Sequence, residues 1–284
     1  MAQSPSNTPR MRCIVTALSL GVVICVITTI VFAQRFRQTA PITSDDFQST
    51  GLEEWANDPQ FKDDVFTFAR LEYSSWRKRG SWATDYPDSD INFSYRLQQL
   101  TSIKVNPRPV TLKITDEKLF DYPFVYMIEP GGLQFDESEV LALRKYLQNG
   151  GFMMVDDFWG GDEYDNFLWQ IQRVFPKRKV VDLELDHPIF HTVYDLKKLP
   201  QVPSIGHGMN GETYEWRPGP DDGSQVHYRA ILDDKGRIMV IICHNTDLGD
   251  GWEREGENHY YFKEFSEKQA YPMGINIVFY AMTH

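Results

Sequence analysis

Apolar residues recur along this chain with two periods. Val140, Leu143 and Leu147 stand three and four apart, the spacing of a helix with one buried face. Asp136 caps that helix with Glu139 as its capping-box partner, and Gly150 suits the left-handed position that ends it. Residues 152–155 (Phe-Met-Met-Val) are continuously apolar and too short for a helix, as expected of a strand covered on both faces. Around this unit the pattern predicts strands over residues 65–73, where Phe66 and Phe68 alternate with smaller residues, 110–114 and 124–129. Residues 179–185 read as an edge strand, and 228–233 with 237–243 as a hairpin around Asp234-Lys235-Gly236. Helices are expected from near Ser89, with Phe93, Leu97 and Leu100 on one face, and over residues 163–175. In a last helix Ala270, Met273, Gly274, Ile277, Val278 and Ala281 share a face, and Gly274 lets it approach its neighbour closely. Strands alternating with helices give a single α/β domain over residues 63–284.

The first 33 residues differ. Arg10 and Arg12 precede a nearly uninterrupted apolar run over residues 13–33, about long enough to span a bilayer. It ends Val31-Phe32-Ala33, small residues of the kind signal peptidase accepts. A cleaved signal peptide and an N-terminal membrane anchor both fit residues 1–33. Both export the domain to the periplasm or another extracytoplasmic space, since Arg10 and Arg12 favour an inside N-terminus. Residues 34–62 read as a linker, with a short helix around residues 52–56. The formal charge is −11, or −13 without the first 33 residues, which hold two arginines and no acids. An acidic domain with no basic stripe excludes nucleic acid as a partner. Cys243 is the one cysteine beyond the apolar run, so it has no internal disulfide partner.

Open parallel sheets bind ligands at the carboxyl ends of their strands. Asp156 and Asp157 stand at such an end. Neighbours on a strand point to opposite faces, so one of the pair faces a cleft unless the chain has already turned. The alternative is structural, with one aspartate capping the next helix and the other holding a loop. The loop after the last long strand carries Asn245, Asp247, Asp250, Trp252 and Glu253. Between residues 245 and 258 there are five acids against one arginine. Such a loop could hold a hard cation through oxygen ligands, but its spacing matches no EF-hand, so no metal site and no cofactor are assigned. His207, between two glycines in a proline-flanked loop, is a candidate cleft residue. His187 precedes Pro188 and reads as a cap rather than a metal ligand shared with His191. Trp76, Trp82, Trp159 and Trp252 fall in loops near strand ends, where exposed rings beside carboxylates suit a sugar-binding cleft.

The stretch TDEKLFDYPFVYMIEPGG (residues 115–132), the capped helix and NGGFMMVDD (149–157) resemble the core of class I glutamine amidotransferase-like domains. WATDYPDSDINF (82–93), VDDFWGG (155–161), HPIFH (187–191), RAILDDKGRIMVIICHNTDLGDGWE (229–253) and MGINIVFYAMTH (273–284) resemble one family in that group, domain of unknown function family 4159. The resemblance implies a flavodoxin-like three-layer sandwich with a mostly parallel sheet, and it brings no activity. Active amidotransferases carry a nucleophilic cysteine on the turn after the strand that MMVDD resembles; here Asp156 and Asp157 stand there, which argues against glutaminase chemistry. Two functions remain. One is a non-catalytic binding or assembly domain of the cell envelope, contacting a glycan or protein partner through Asp156, Trp159, Asn245, Asp250, Trp252 and Glu253. The other is a carboxylate-dependent hydrolase of an envelope substrate, metal-assisted or not, with Asp157 as base, assisted by Asp247 or His207. If uncleaved, the N-terminal segment also makes the membrane a partner.

Overall fold

The computed structural model describes residues 41–61, 64–77 and 81–284. The proposed signal peptide or anchor at residues 1–33 lies outside the described residues, among which no helix is long and apolar enough to cross a membrane. The elements run α1 Ser44–Thr50, β1 Ala69–Glu72, α2 Asp88–Leu100, β2 Val110–Lys113, β3 Phe124–Ile128, α3 Glu137–Gln148, β4 Phe152–Asp156, α4 Gly160–Val174 and β5 Val180–Asp182. They continue with α5 Ile205–Met209, β6 His227–Leu232, β7 Ile238–His244, α6 Leu248–Glu253 and α7 Tyr271–Thr283.

The strands form one sheet in the order β2-β1-β3-β4-β7-β6-β5. The first five are parallel. β6 pairs antiparallel with β7, and β5 closes the edge antiparallel to β6. From β1 the chain winds outward to β2, then returns past β1 to β3 and β4. The winding therefore reverses between β1 and β3, and a crevice opens there at the carboxyl ends of the strands.

Alternation along the strands builds the layers. Tyr126 and Ile128 of β3 face Phe93 of α2, Trp252 of α6 and Ile277 of α7. Val125 and Met127, one residue out of phase, face Leu143 of α3 and Phe167 of α4. Helices thus cover both faces of a mostly parallel sheet, a three-layer α/β sandwich. The capping box of α3 has both arms, Asp136 Oδ1 accepting from Glu139 N at 2.8 Å and Glu139 Oε2 from Asp136 N at 2.8 Å.

Several boundaries differ from the sequence reading, among them the edge strand read over residues 179–185, which pairs only over Val180–Asp182. Regular pairing in β1 starts at Ala69 rather than residue 65, because Phe66 makes only an isolated bridge to Val105. α4 begins at Gly160 rather than residue 163; the side chain of Asn245 accepts from Gly160 N at 2.8 Å and fixes that start. In the stretch read as a linker, the helix is α1, whose Phe47 packs with Ile42 against Ile91. Trp55 Nε1 also donates to Val105 O at 2.9 Å, tying this stretch to the domain.

Candidate functional site: an acidic cleft at the strand ends

The parallel strands stop abruptly. Glu129 follows β3, Asp157 follows β4 and Asn245 follows β7, each with a left-handed backbone (φ 49°, 55° and 61°). Asp85, in the loop between β1 and α2, has φ 61°, and among the described residues these four are the only non-glycines with positive φ. The conformation costs about 1–2 kcal/mol per residue, so surrounding contacts must hold it. Those contacts are backbone bonds between neighbouring turns. Glu129 N donates to Asp156 O at 3.0 Å, Asp157 N to Thr246 O at 3.1 Å, and Asn245 N to Phe158 O at 3.0 Å. The turn at Asp157 also separates the paired aspartates. Asp156 stays on the α6 side, accepting from Tyr126 Oη at 3.1 Å and Gly249 N at 3.0 Å. Asp157 enters a cleft of about 390 Å³.

Seven carboxylates line this cleft: Asp85, Glu129, Asp157, Glu163, Glu215, Asp247 and Asp250. Among the described residues two arginines line it and neutralise only part of that charge. Arg77 bonds Glu163 at 2.6 Å, and Arg217 bonds Glu215 at 3.0 Å and approaches Glu163 at 3.9 Å. The others rely mainly on neutral donors. Asp157 Oδ1 accepts from Trp159 Nε1 at 3.1 Å, Asp247 Oδ1 from Asp250 N at 2.7 Å and Glu129 Oε2 from Thr84 Oγ1 at 3.0 Å. Asp250 takes Ile205 N and, at 3.2 Å, Arg254 Nε. Asp85 Oδ2 is buried with no hydrogen-bond partner among the described residues.

The electrostatic result is mutual repulsion. Burial, then Glu129 and Asp85, push Asp157 well above the ordinary carboxylate range. Burial, then Asp157 and Asp250, do the same to Asp247. Asp85 is raised by burial and by Glu253 and Asp250. Burial lifts Glu129 to about 7 and Asp156 to about 7. Carboxylates so arranged can hold protons at neutral pH, accept hydrogen bonds from hydroxyl groups, or receive a cation.

Of the residues singled out in the sequence, Asp157, Asp247, Asp250 and Trp159 come together at the cleft. Asp156 lies behind it, and Glu253 lies beside Asp85 and Asp250. Three expectations need correction. Asn245 is a buried wall residue: Oδ1 accepts from Gly160 N at 2.8 Å, and both Nδ2 hydrogens are spent on Asp221 Oδ1 at 2.9 Å and Gln225 O at 2.8 Å. Trp252 is fully buried, its ring 4.4 Å from that of Phe93, so it is core rather than a sugar platform. His207 lies in α5, its ring paired with Glu212, and is not among the residues lining the cleft. His187 does cap, its Nδ1 accepting from Ile189 N at 3.2 Å.

Asp85, Glu129, Glu215 and the two arginines were missed in the sequence. Glu129 carried a signal, since it directly follows an apolar strand. Trp216, next to Arg217, was also missed; it and Trp76, next to Arg77, are 63% and 61% exposed. The Trp76 ring lies against Arg77, its centre 5.4 Å from the guanidinium carbon, which brings one exposed ring to the rim of the cleft.

A second group, Asp221, His227 and His244, lies below the sheet end. His244 Nε2 is 3.0 Å from Gly160 O and its Nδ1 3.1 Å from Arg229 Nη1. Nε2–H therefore donates to the carbonyl, and Nδ1 accepts from a guanidinium rather than facing free space. Burial lowers its pKa to about 4, so it is neutral near pH 7.

No curated protein matches the chain. A family model described as Domain of unknown function (DUF4159) matches residues 67–282, which include every residue lining the cleft. The protein therefore belongs to the DUF4159 family.

Proposed function

We propose that the acidic cleft is the ligand site of an exported cell-envelope domain, and that it binds a polyhydroxylated ligand, an envelope glycan. The carrying observation is that the protein holds three backbone-strained acids, Asp85, Glu129 and Asp157, in one open cleft without an arginine partner among the described residues. Nothing in the stability of the fold requires that arrangement, and strained, mutually repelling groups cluster where a ligand is to be received. Carboxylates accept hydrogen bonds from sugar hydroxyls, and Trp76, exposed and held against Arg77 of the cleft, offers a ring face for a pyranose. Export rests on the sequence of residues 1–33. The order β2-β1-β3-β4 with a further parallel strand supports the flavodoxin-like, amidotransferase-like assignment, with Asp157 on the turn where such enzymes carry their cysteine.

The test is a binding screen of cell-wall glycan fragments on the purified chain. At least one class should bind, and Trp76→Ala and Glu129→Gln should each weaken it about tenfold, the equivalent of 1.4 kcal/mol. Binding that neither substitution changes would place the site elsewhere.

One observation favours the hydrolase as a second reading. Glu129 is poised at about 7 beside Asp157, which is raised further by burial and by Glu129 itself. A proton donor and acceptor pair of this kind is what acid–base cleavage uses. Release of new reducing ends from a bound glycan, lost in Asp157→Asn, would select it over binding alone.

A further inference from the structure

Asp85, Asp250 and Glu253 each offer a carboxylate oxygen, and these oxygens lie within 4.8 Å of one another. They come from two separate parts of the chain: the loop before α2, and helix α6. We propose that they form a divalent-cation site, suited to Ca²⁺, at the inner end of the cleft. This goes beyond glycan binding and does not depend on it.

Three features carry the assignment. The first is the unpartnered oxygen. Asp85 Oδ2 is buried without a hydrogen-bond donor among the described residues, although burying a carboxylate oxygen unpaired is costly. Its position is built into the fold. A Cβ on Gly249 would lie 3.0 Å from that oxygen and 2.8 Å from Tyr126 Oη, so glycine is what lets α6 come this close. Arg70, the nearest buried cation, is held by Asp90 instead.

The second feature is charge. Arg254 contacts Asp250 at 3.2 Å and Glu253 at 2.5 Å. Three carboxylates face one guanidinium, which Glu257 also shares at 3.1 Å, so the group keeps a negative charge that a divalent ion neutralises. The third is donor chemistry and access. Ca²⁺ accepts oxygen ligands in flexible geometry, whereas Mg²⁺ demands a near-ideal octahedron and keeps most of its water. An all-oxygen donor set favours hard cations. Asp85 and Asp250 also line the cleft, which gives the ion an entry path and room for water ligands. In the Asp221, His227 and His244 group, Arg229 points its guanidinium at His244 Nδ1, which takes the nitrogen an ion would need.

The full chain, stripped with a chelator, should be dialysed against calcium and its metal content measured, with Mg²⁺ in parallel. One Ca²⁺ per chain is expected, saturable and bound more tightly than Mg²⁺. Asp85→Asn and Glu253→Gln should each weaken binding about tenfold or more, and the exposed Asp234→Asn should not. Asparagine tolerates the left-handed backbone at position 85, and circular dichroism checks that each variant folds. If Asp85→Asn does not fold, Glu253→Gln and the wild-type stoichiometry decide. Absence of bound calcium, or binding that both cluster variants leave unchanged, overturns the assignment. Glycan binding with no calcium uptake would remove this inference and leave the glycan reading standing.

Discussion

Arg70 has no exposed surface and sits in β1 with its guanidinium fully engaged. It bonds Asp90, the carbonyls of Trp82 at 2.9 Å and Thr84 at 2.6 Å, and Ser89 Oγ at 2.9 Å. One side chain thereby fixes the loop that presents Asp85 to the cleft. Removing one partner of a buried ion pair strands the other, at about 3–5 kcal/mol. Asp90→Ala should therefore cost about that much in urea denaturation, and a loss under about 1 kcal/mol would mean that water replaces the carboxylate. Residue-scale chemistry was only partly legible in the sequence. Asp157 and Asp247 could be found because each follows an apolar strand. Asp85 and Glu215 could not, because long loops bring them in only once folded. Trp252 was misread although its spacing from Leu248 is one helical turn, the signature of a buried face.

Elements were more legible than residues. The parallel strands β3, β4 and β7 are buried on both faces, so each reads as an unbroken apolar run. α1 was harder to place, because Phe47 finds its core only against Ile91 of α2, far along the chain. The close approach foreseen at Gly274 is real. A Cβ there would come within 2.6 Å of both Phe93 Cε2 and Trp252 Cζ2. Overpacking of this kind costs about 1–3 kcal/mol, against roughly 1 kcal/mol that alanine gains over glycine inside a helix. Gly274→Ala is expected to be net destabilising by about 1 kcal/mol in the same denaturation assay. A more stable variant would show that α7 can shift away from α2 and α6.

At the scale of the whole molecule, a rigid sheet holds repelling acids together at one edge. The consequence has a definite sign. A carboxylate whose pKa is higher in the folded than in the unfolded chain contributes stability that is fully present below its unfolded value. That contribution is lost as pH rises toward the folded value. For Asp157, raised well above its ordinary 3.8, the loss begins near pH 4 and grows as pH rises toward the folded value. The most direct measurement compares the stability of cation-free wild type and Asp157→Asn at pH 4 and pH 7. Asparagine keeps the bond from Trp159 and tolerates the backbone, but carries no charge. The two proteins should be nearly equal at pH 4. At pH 7 the variant should be more stable by about 1 kcal/mol or more, while losing the cleft's ligand. A variant less stable than wild type at pH 7 would make Asp157 an ordinary structural acid and contradict the assignment of the cleft as a ligand site.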